Sequence, residues 1–113
     1  MATYTENVYD WLKRKGLGAK YECAGVYCIK INQKIVYIGK SNNMLVRKAE
    51  HFVGMNTQSE HKYEILNEAR RHGLSVEFDV LYYAQARRGA ALTEELGRKE
   101  GEYIRLYRPV LNT

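Results

Sequence analysis

Apolar positions along the chain change period several times, and each change marks an element. Val8, Trp11, Leu12 and Lys15 fall at i, i+3, i+4 and i+7, the stripe of an amphipathic helix over 5–15 with a lysine stem at its end. Gly16 and Gly18 close it. From Gly25 to Ile31 the residues are mostly β-branched or aromatic. Asn32–Gln33 supplies a turn and Ile35–Gly39 returns, which predicts a β-hairpin. Ser41 to Asn43 are cap candidates for a helix over 43–53. Thr57 and Glu60 have capping-box spacing ahead of a helix over 59–72, closed by Gly73. Leu74, Val76, Phe78, Val80 and Tyr82 alternate with Ser75, Glu77 and Asp79, the clearest strand signal in the chain. A last helix is predicted over 93–107, beyond which Pro109 bars continuation. The order α-β-β-α-α-β-α predicts an α+β domain, a small three-stranded antiparallel sheet flanked by helices.

Length and composition narrow the class. The 113 residues suit one domain, and a 45% hydrophobic content is that of a globular protein. There is no repeat, linker or low-complexity stretch. A net charge of +5 and a pI near 9.2 favour an anionic partner such as nucleic acid, though modestly. Cys23 and Cys28 form neither a zinc pattern nor a disulfide framework, and Cys28 reads as a buried thiol. No apolar run reaches the length of a membrane span and no secretory core region is visible, so a cytoplasmic protein with no membrane partner is expected. Ten tyrosines are unusual. Most are expected to pack, yet each keeps a hydroxyl for hydrogen bonding or proton transfer.

Three local patterns carry candidate chemistry. Tyr27 and Tyr37 sit on the two hairpin strands; with the turn at Asn32–Gln33 they are expected roughly opposite each other, either lining one pocket or simply packing. Arg47 and His51 share a helix face at i, i+4. That face is either solvated or built for a phosphate, which a guanidinium fork binds through two oxygens at once. Leu92, Leu96, Glu100, Tyr103 and Tyr107 follow the spacing of one buried stripe, which Glu100 interrupts with a carboxylate. Such a group is paired, in a salt bridge, or bound to a cation such as Mg²⁺. Gly97 and Gly101 flank it, leaving room for another backbone or a substrate.

These residues resemble the GIY-YIG nucleases. Gly25–Val26–Tyr27 and Tyr37–Ile38–Gly39, with nine residues between them, are similar to the two halves of that signature, with Val26 in place of isoleucine. The family has an arginine eight residues after the second glycine and often a histidine four later, matching Arg47 and His51. It ends on a metal-binding glutamate. In the excision-repair branch an Arg-Pro pair follows, and an asparagine twelve residues after the glutamate; Glu100, Arg108–Pro109 and Asn112 resemble that arrangement. The resemblance covers about 24–112, so 1–113 is expected to be a single nuclease-like domain with 1–23 as a helical extension.

The resemblance implies a metal-dependent DNA endonuclease. Glu100 would hold one Mg²⁺ (or Mn²⁺) and Arg47 would clamp the scissile phosphate. Tyr27 would deprotonate the attacking water, with Lys34, Lys40 and Arg47 as cations able to favour its phenolate. Tyr37 would orient the water or phosphate, and His51 would orient Tyr27 or relay its proton. Asn112 would position substrate or tie down the C-terminus. Lys40 and the pair Arg87–Arg88, in a Gly-containing loop before the last helix, are candidate DNA contacts, as is Lys13–Lys15. Cutting both strands needs two copies or two binding events, which raises a homodimer on DNA. The competing readings are a catalytically inactive nucleic-acid-binding module of the same fold and a small interaction protein whose tyrosines only pack.

Overall fold

The computed structural model describes the backbone of residues 23–57 and 61–112 and the side chains of 23–51 and 62–112. The helix expected over 5–15, the Lys13–Lys15 cluster and Glu60 lie outside these residues. Along the chain run β1 (Gly25–Ile31), β2 (Lys34–Ser41), α1 (Met44–Thr57), α2 (His61–Arg71), β3 (Val76–Tyr83), α3 (Gly89–Tyr107) and a 3₁₀ turn (Val110–Asn112). The strands form one antiparallel sheet in the order β2-β1-β3. β1 is central and is buried from Gly25 to Ile29, because helices cover both faces of the sheet.

On one face Tyr27 and Ile29 meet Met44, Leu45 and Ala49 of α1 and Tyr63 and Leu66 of α2, with Phe78 and Val80 of β3 alongside. On the other, Val26, Cys28 and Ile38 pack against Tyr103 and Ile104 of α3. Cys28 is fully buried, as its strand position predicts.

The hairpin turn is the two-residue Asn32–Gln33, with φ of 48° and 72°. That left-handed pair is the twist-matched connection for adjacent antiparallel strands. Asn32 also anchors the sheet: its backbone N–H donates to the Ser75 carbonyl at 2.9 Å, and its Oδ1 accepts from Ser75 N–H at 2.9 Å.

Two bulges correct the simple strand reading. From the turn, Ile31 pairs with Lys34 and Lys30 with Ile35, but Ile29 pairs with Tyr37, leaving Val36 as an extra residue in β2. Side chains alternate with period two, so a one-residue slip moves every later side chain to the other face. Without the bulge Tyr27 would pair with Ile38 and Tyr37 with Cys28, and the two phenols would lie on opposite faces. With it, Tyr27 pairs with Gly39 and Tyr37 with Ile29. The tyrosines are therefore diagonal neighbours on one face rather than opposite each other. In β3 the second bulge falls at Leu81, between the pairs Val26–Tyr82 and Tyr27–Val80. It turns Tyr82 away from the face of Val76, Phe78 and Val80, against the expected alternation.

Helix ends follow local chemistry. The Asn43 Oδ1 accepts from the N–H of Leu45 at 3.0 Å and Val46 at 3.3 Å, capping α1. Thr57 is the last residue of α1. Gly73, at φ 76°, closes α2 while Leu74 N–H reaches the Ala69 carbonyl at 3.0 Å. α3 begins four residues before the expected Thr93, since Ala90, Ala91 and Leu92 are good helix formers and no side-chain cap marks the start. Arg108 ends it in the left-handed region, at φ 46°.

Candidate active site

The second glycine of the hairpin motif makes room for the first tyrosine. A Cβ on Gly39 would run into the ring and hydroxyl of Tyr27, which lies flat over it. Gly25 is held as tightly, with the Tyr82 carbonyl and the end of Met44 where its Cβ would be. Tyr27 is fully buried, and Phe78 stacks on its other side with ring centroids 4.7 Å apart.

The Tyr27 hydroxyl is the hub of a polar cluster inside that apolar layer. His51 Nε2 lies 2.8 Å from it, and Arg47 Nε donates to it at 3.3 Å. The Tyr37 hydroxyl faces it too, the two rings lying 6.3 Å apart. His51 is 4% exposed, and its other nitrogen, Nδ1, lies 3.0 Å from the hydroxyl of Tyr63 on α2. The Arg47 guanidinium emerges from this layer to pair with Glu50 at 3.0 Å, where both side chains are more than one-third exposed. Such a pair contributes little and exchanges readily for another anion.

Burial sets the protonation states. It pushes the Tyr27 phenol well above its ordinary value, and the hydrogen bond from Arg47 only partly opposes it. Burial, then the charges of Arg47 and Lys62, pull His51 down to about 3, so its imidazole is neutral at pH 7. Of the cations expected to favour a Tyr27 phenolate, Arg47 is the one in contact with the oxygen. Lys40 is turned instead toward Glu100. Lys62, which was not among them, sits over the Tyr37 ring at 4.9 Å.

Three successive residues of β2 connect the remaining candidates. Ile38 receives Asn112, whose Oδ1 accepts from the Ile38 N–H and whose Nδ2 donates to the Ile38 carbonyl, both at 2.8 Å. The amide thus extends the sheet edge and ties down the C-terminal turn. Gly39 carries Tyr27. Lys40 reaches the Glu100 carboxylate at 3.9 Å. Glu100 is 25% exposed rather than buried. Burial along its stripe is complete at Leu92 and Leu96 and fades until Tyr107 is 46% exposed, because a 19-residue helix, about 28 Å long, outreaches a three-stranded sheet.

A lone, partly exposed carboxylate fits a hard divalent cation, which takes one or two carboxylates and fills its other positions with water and phosphate oxygens. Among the described residues no group of three or more His, Cys, Asp or Glu could form an all-protein metal cage, so a site with few protein ligands is the kind this fold can offer. Beside it, Lys40, Ser41, Asn42, Thr93 and Leu96 line an open cleft. A Cβ on Gly97 or Gly101 would meet only the mobile ends of Lys40 and Arg105, at 3.7 and 3.5 Å. Among the described residues no other backbone packs against these glycines.

Two participants escape sequence reasoning. Tyr63 lies on the inward stripe of α2 with Leu66 and reads as core; only the fold shows its hydroxyl meeting His51. Glu95, 8% exposed, accepts from the Tyr82 hydroxyl and, at 2.8 Å each, from the backbone N–H of Gln85 and Ala86. These bonds, led by that of Tyr82, hold its carboxyl at about 2. They also fix the loop from which the exposed Arg87 and Arg88 extend. Arg87 and Arg88 are apart from the tyrosine cluster in sequence, and among the described residues no hydrogen bond or ion pair joins them to it.

No family model matches the chain. Endonuclease II of Enterobacteria phage T4 is 30% identical over 124 residues, 96% of this chain and 87% of that protein. Among solved structures, a glutamate-to-alanine mutant of bacteriophage T4 EndoII matches with a TM-score of 0.59 at 24% identity, over 80% of this chain and 74% of that one. The GIY-YIG N-terminal endonuclease domain of UvrC from Thermotoga maritima, a tyrosine-to-phenylalanine mutant bound to its catalytic divalent cation, matches with a TM-score of 0.53 at 26% identity, over 88% and 93%. No helix among the described residues is long and apolar enough to cross a membrane.

Proposed function

Since the chain belongs to the GIY-YIG nuclease superfamily, we propose that it is a divalent-metal-dependent DNA endonuclease hydrolysing phosphodiester bonds at the Tyr27, Tyr37, Arg47, His51 and Glu100 site. The observation that carries this reading is the Tyr27 hydroxyl, held at once by Arg47 Nε and His51 Nε2. A phenol that merely packs needs no such pair of partners. Support also comes from the relatives: one is an endonuclease by name, and another holds a catalytic divalent cation in its solved structure.

A phosphodiester repels nucleophiles, so its charge must be neutralised while water is deprotonated. Arg47 is suited to the first task. Its outer nitrogens can leave the exposed Glu50 for phosphate oxygens while Nε stays on Tyr27. Tyr27 is suited to the second, but not as a preformed phenolate, because burial disfavours that form. Its oxygen takes the water proton as its own proton passes to the neutral His51 Nε2. Tyr37 orients the water or the phosphate beside it. Glu100 would hold a cation, Mg²⁺ or Mn²⁺, which would supply positive charge to offset that of the phosphate. Lys40, Arg87 and Arg88 attract the DNA backbone without reading sequence. Asn112 acts through β2, holding the strand that carries Gly39 and Lys40. Cleavage of both strands would follow from two copies meeting on the duplex or from successive nicks.

The test is supercoiled plasmid incubated with the full chain in Mg²⁺, Mn²⁺ or EDTA, repeated with Glu100→Ala. Nicking is expected only with metal and with Glu100 intact. Nicking that survives EDTA and the substitution would sink the metal mechanism, whereas binding without nicking on duplex, branched and single-stranded DNA would favour the binding module.

A further inference from the structure

We propose that Tyr63 is a positioning residue for the nuclease site, selecting the Nδ1–H tautomer of His51 so that Nε2 is free to accept the proton of Tyr27. The proposal rests on the reading of Tyr27 as the group that deprotonates water. It starts from one geometric fact: two buried phenols occupy the two nitrogens of one imidazole, Tyr27 at 2.8 Å from Nε2 and Tyr63 at 3.0 Å from Nδ1.

A neutral imidazole carries one N–H, so one nitrogen donates and the other accepts. If Nε2 held the proton, it would donate to the Tyr27 oxygen, which already accepts from Arg47 Nε. The Tyr27 hydroxyl proton would then turn to Tyr37, and His51 could take nothing from Tyr27. If Nδ1 holds the proton, Tyr63 accepts it, Nε2 presents its lone pair, and the fully buried Tyr27 hydroxyl donates across its shortest contact. The second arrangement lets Tyr27 donate to its nearest partner and accept from Arg47. Among buried side-chain atoms of the described residues, none is left without a hydrogen bond.

The proton balance is then complete. The attacking water gives a proton to the Tyr27 oxygen, the hydroxide bonds to phosphorus as the P–O bond to the departing oxygen breaks, the original Tyr27 proton moves to Nε2, and the departing oxygen takes a proton from solvent. His51 becomes an imidazolium whose Nδ1–H is still accepted by Tyr63. An imidazolium in this buried place, near Arg47 and Lys62, is unfavourable. The Tyr63 oxygen is therefore worth most at the moment the charge forms. Tyr63 also fits the place: it is 5% exposed and set in the core beside Ile29 and Leu66, where its oxygen has little freedom.

The experiment is ¹⁵N NMR of the histidine-labelled full chain, wild type and Tyr63→Phe, with nicking kinetics on the same samples. Wild-type His51 is expected as Nδ1–H. Tyr63→Phe is expected to move it toward Nε2–H and to lower kcat on the order of tenfold with KM unchanged, as loss of an orienting partner does. Tyr63→Phe keeps the ring, and unchanged signals for the rest of the sheet will show that it folds. An Nε2–H His51 in the wild type, or a tautomer indifferent to Tyr63→Phe, would overturn the proposal. A wild-type chain that cuts no DNA yet shows the Tyr63-dependent Nδ1–H would overturn the nuclease reading and leave the tautomer assignment supported.

Discussion

At position 39 there is no room for a methyl group, and that exclusion explains why the hairpin motif ends on glycine. The Tyr27 ring occupies the volume a Cβ would need. Ring and strand are both fixed, Tyr27 by Phe78 and His51, and Gly39 by its pairing to β1. Overpacking at such a site costs typically about 1–3 kcal/mol. Gly39→Ala is therefore expected to destabilise the fold by that amount, read as a lower urea midpoint, and to displace the Tyr27 hydroxyl from Arg47 and so slow nicking. A variant with wild-type midpoint and wild-type rate would refute the packing argument. The motif glycine is visible in the sequence; its reason is not, because the atom that forbids a side chain belongs to a residue twelve positions earlier.

At the scale of elements, strands and helices were legible and their registers were not. Period-two and i, i+3, i+4 patterns locate β1, β2, α1 and α2 because burial on one face imposes them. A bulge has no such pattern. Val36 looks like any strand residue, yet it alone brings Tyr37 to the face of Tyr27. Leu81 likewise turns Tyr82 toward Glu95 on α3, a contact nothing local announces. The turn preceding the first bulge carries avoidable strain, since Gln33 sits at φ 72° and its exposed contact to Glu77 is long, 3.4 Å. Gln33→Gly removes the left-handed penalty and adds some unfolded-state entropy, for a net gain of about 0.5–1 kcal/mol. Chemical denaturation measures it, and a loss would mean that the Glu77 contact matters more than the backbone. On α3 the opposite exchange is favourable. Gly97→Ala fills open space near Lys40 and should stabilise the helix by roughly 1 kcal/mol. If the open cleft beside it receives the DNA, affinity falls as stability rises; if affinity is unchanged, the substrate does not approach that side of α3.

For the molecule as a whole, pH is the sharpest probe of how the tyrosine layer is built, because its histidine is neutral and buried. His51 titrates at about 3 in the folded chain against an ordinary value of 6.5, chiefly through burial. Between those values the unfolded chain binds a proton that the folded chain refuses. Stability is therefore full above pH 6.5 and falls as pH drops toward 3, by at most about 1.4 kcal/mol per pH unit for this one group. Glu95 works in the same direction but lower. Its hydrogen bonds hold it at about 2 against 4.5, so their contribution is present above pH 4.5 and is lost as pH falls through 2. The two windows leave pH 4.5–6.5 to His51. Urea midpoints measured across that interval should decline with acid in the wild type and flatten in His51→Gln, whatever the substitution costs at neutral pH. The same slope in both proteins would place the responsible proton elsewhere, and with it would go the picture of an uncharged imidazole waiting beside Tyr27.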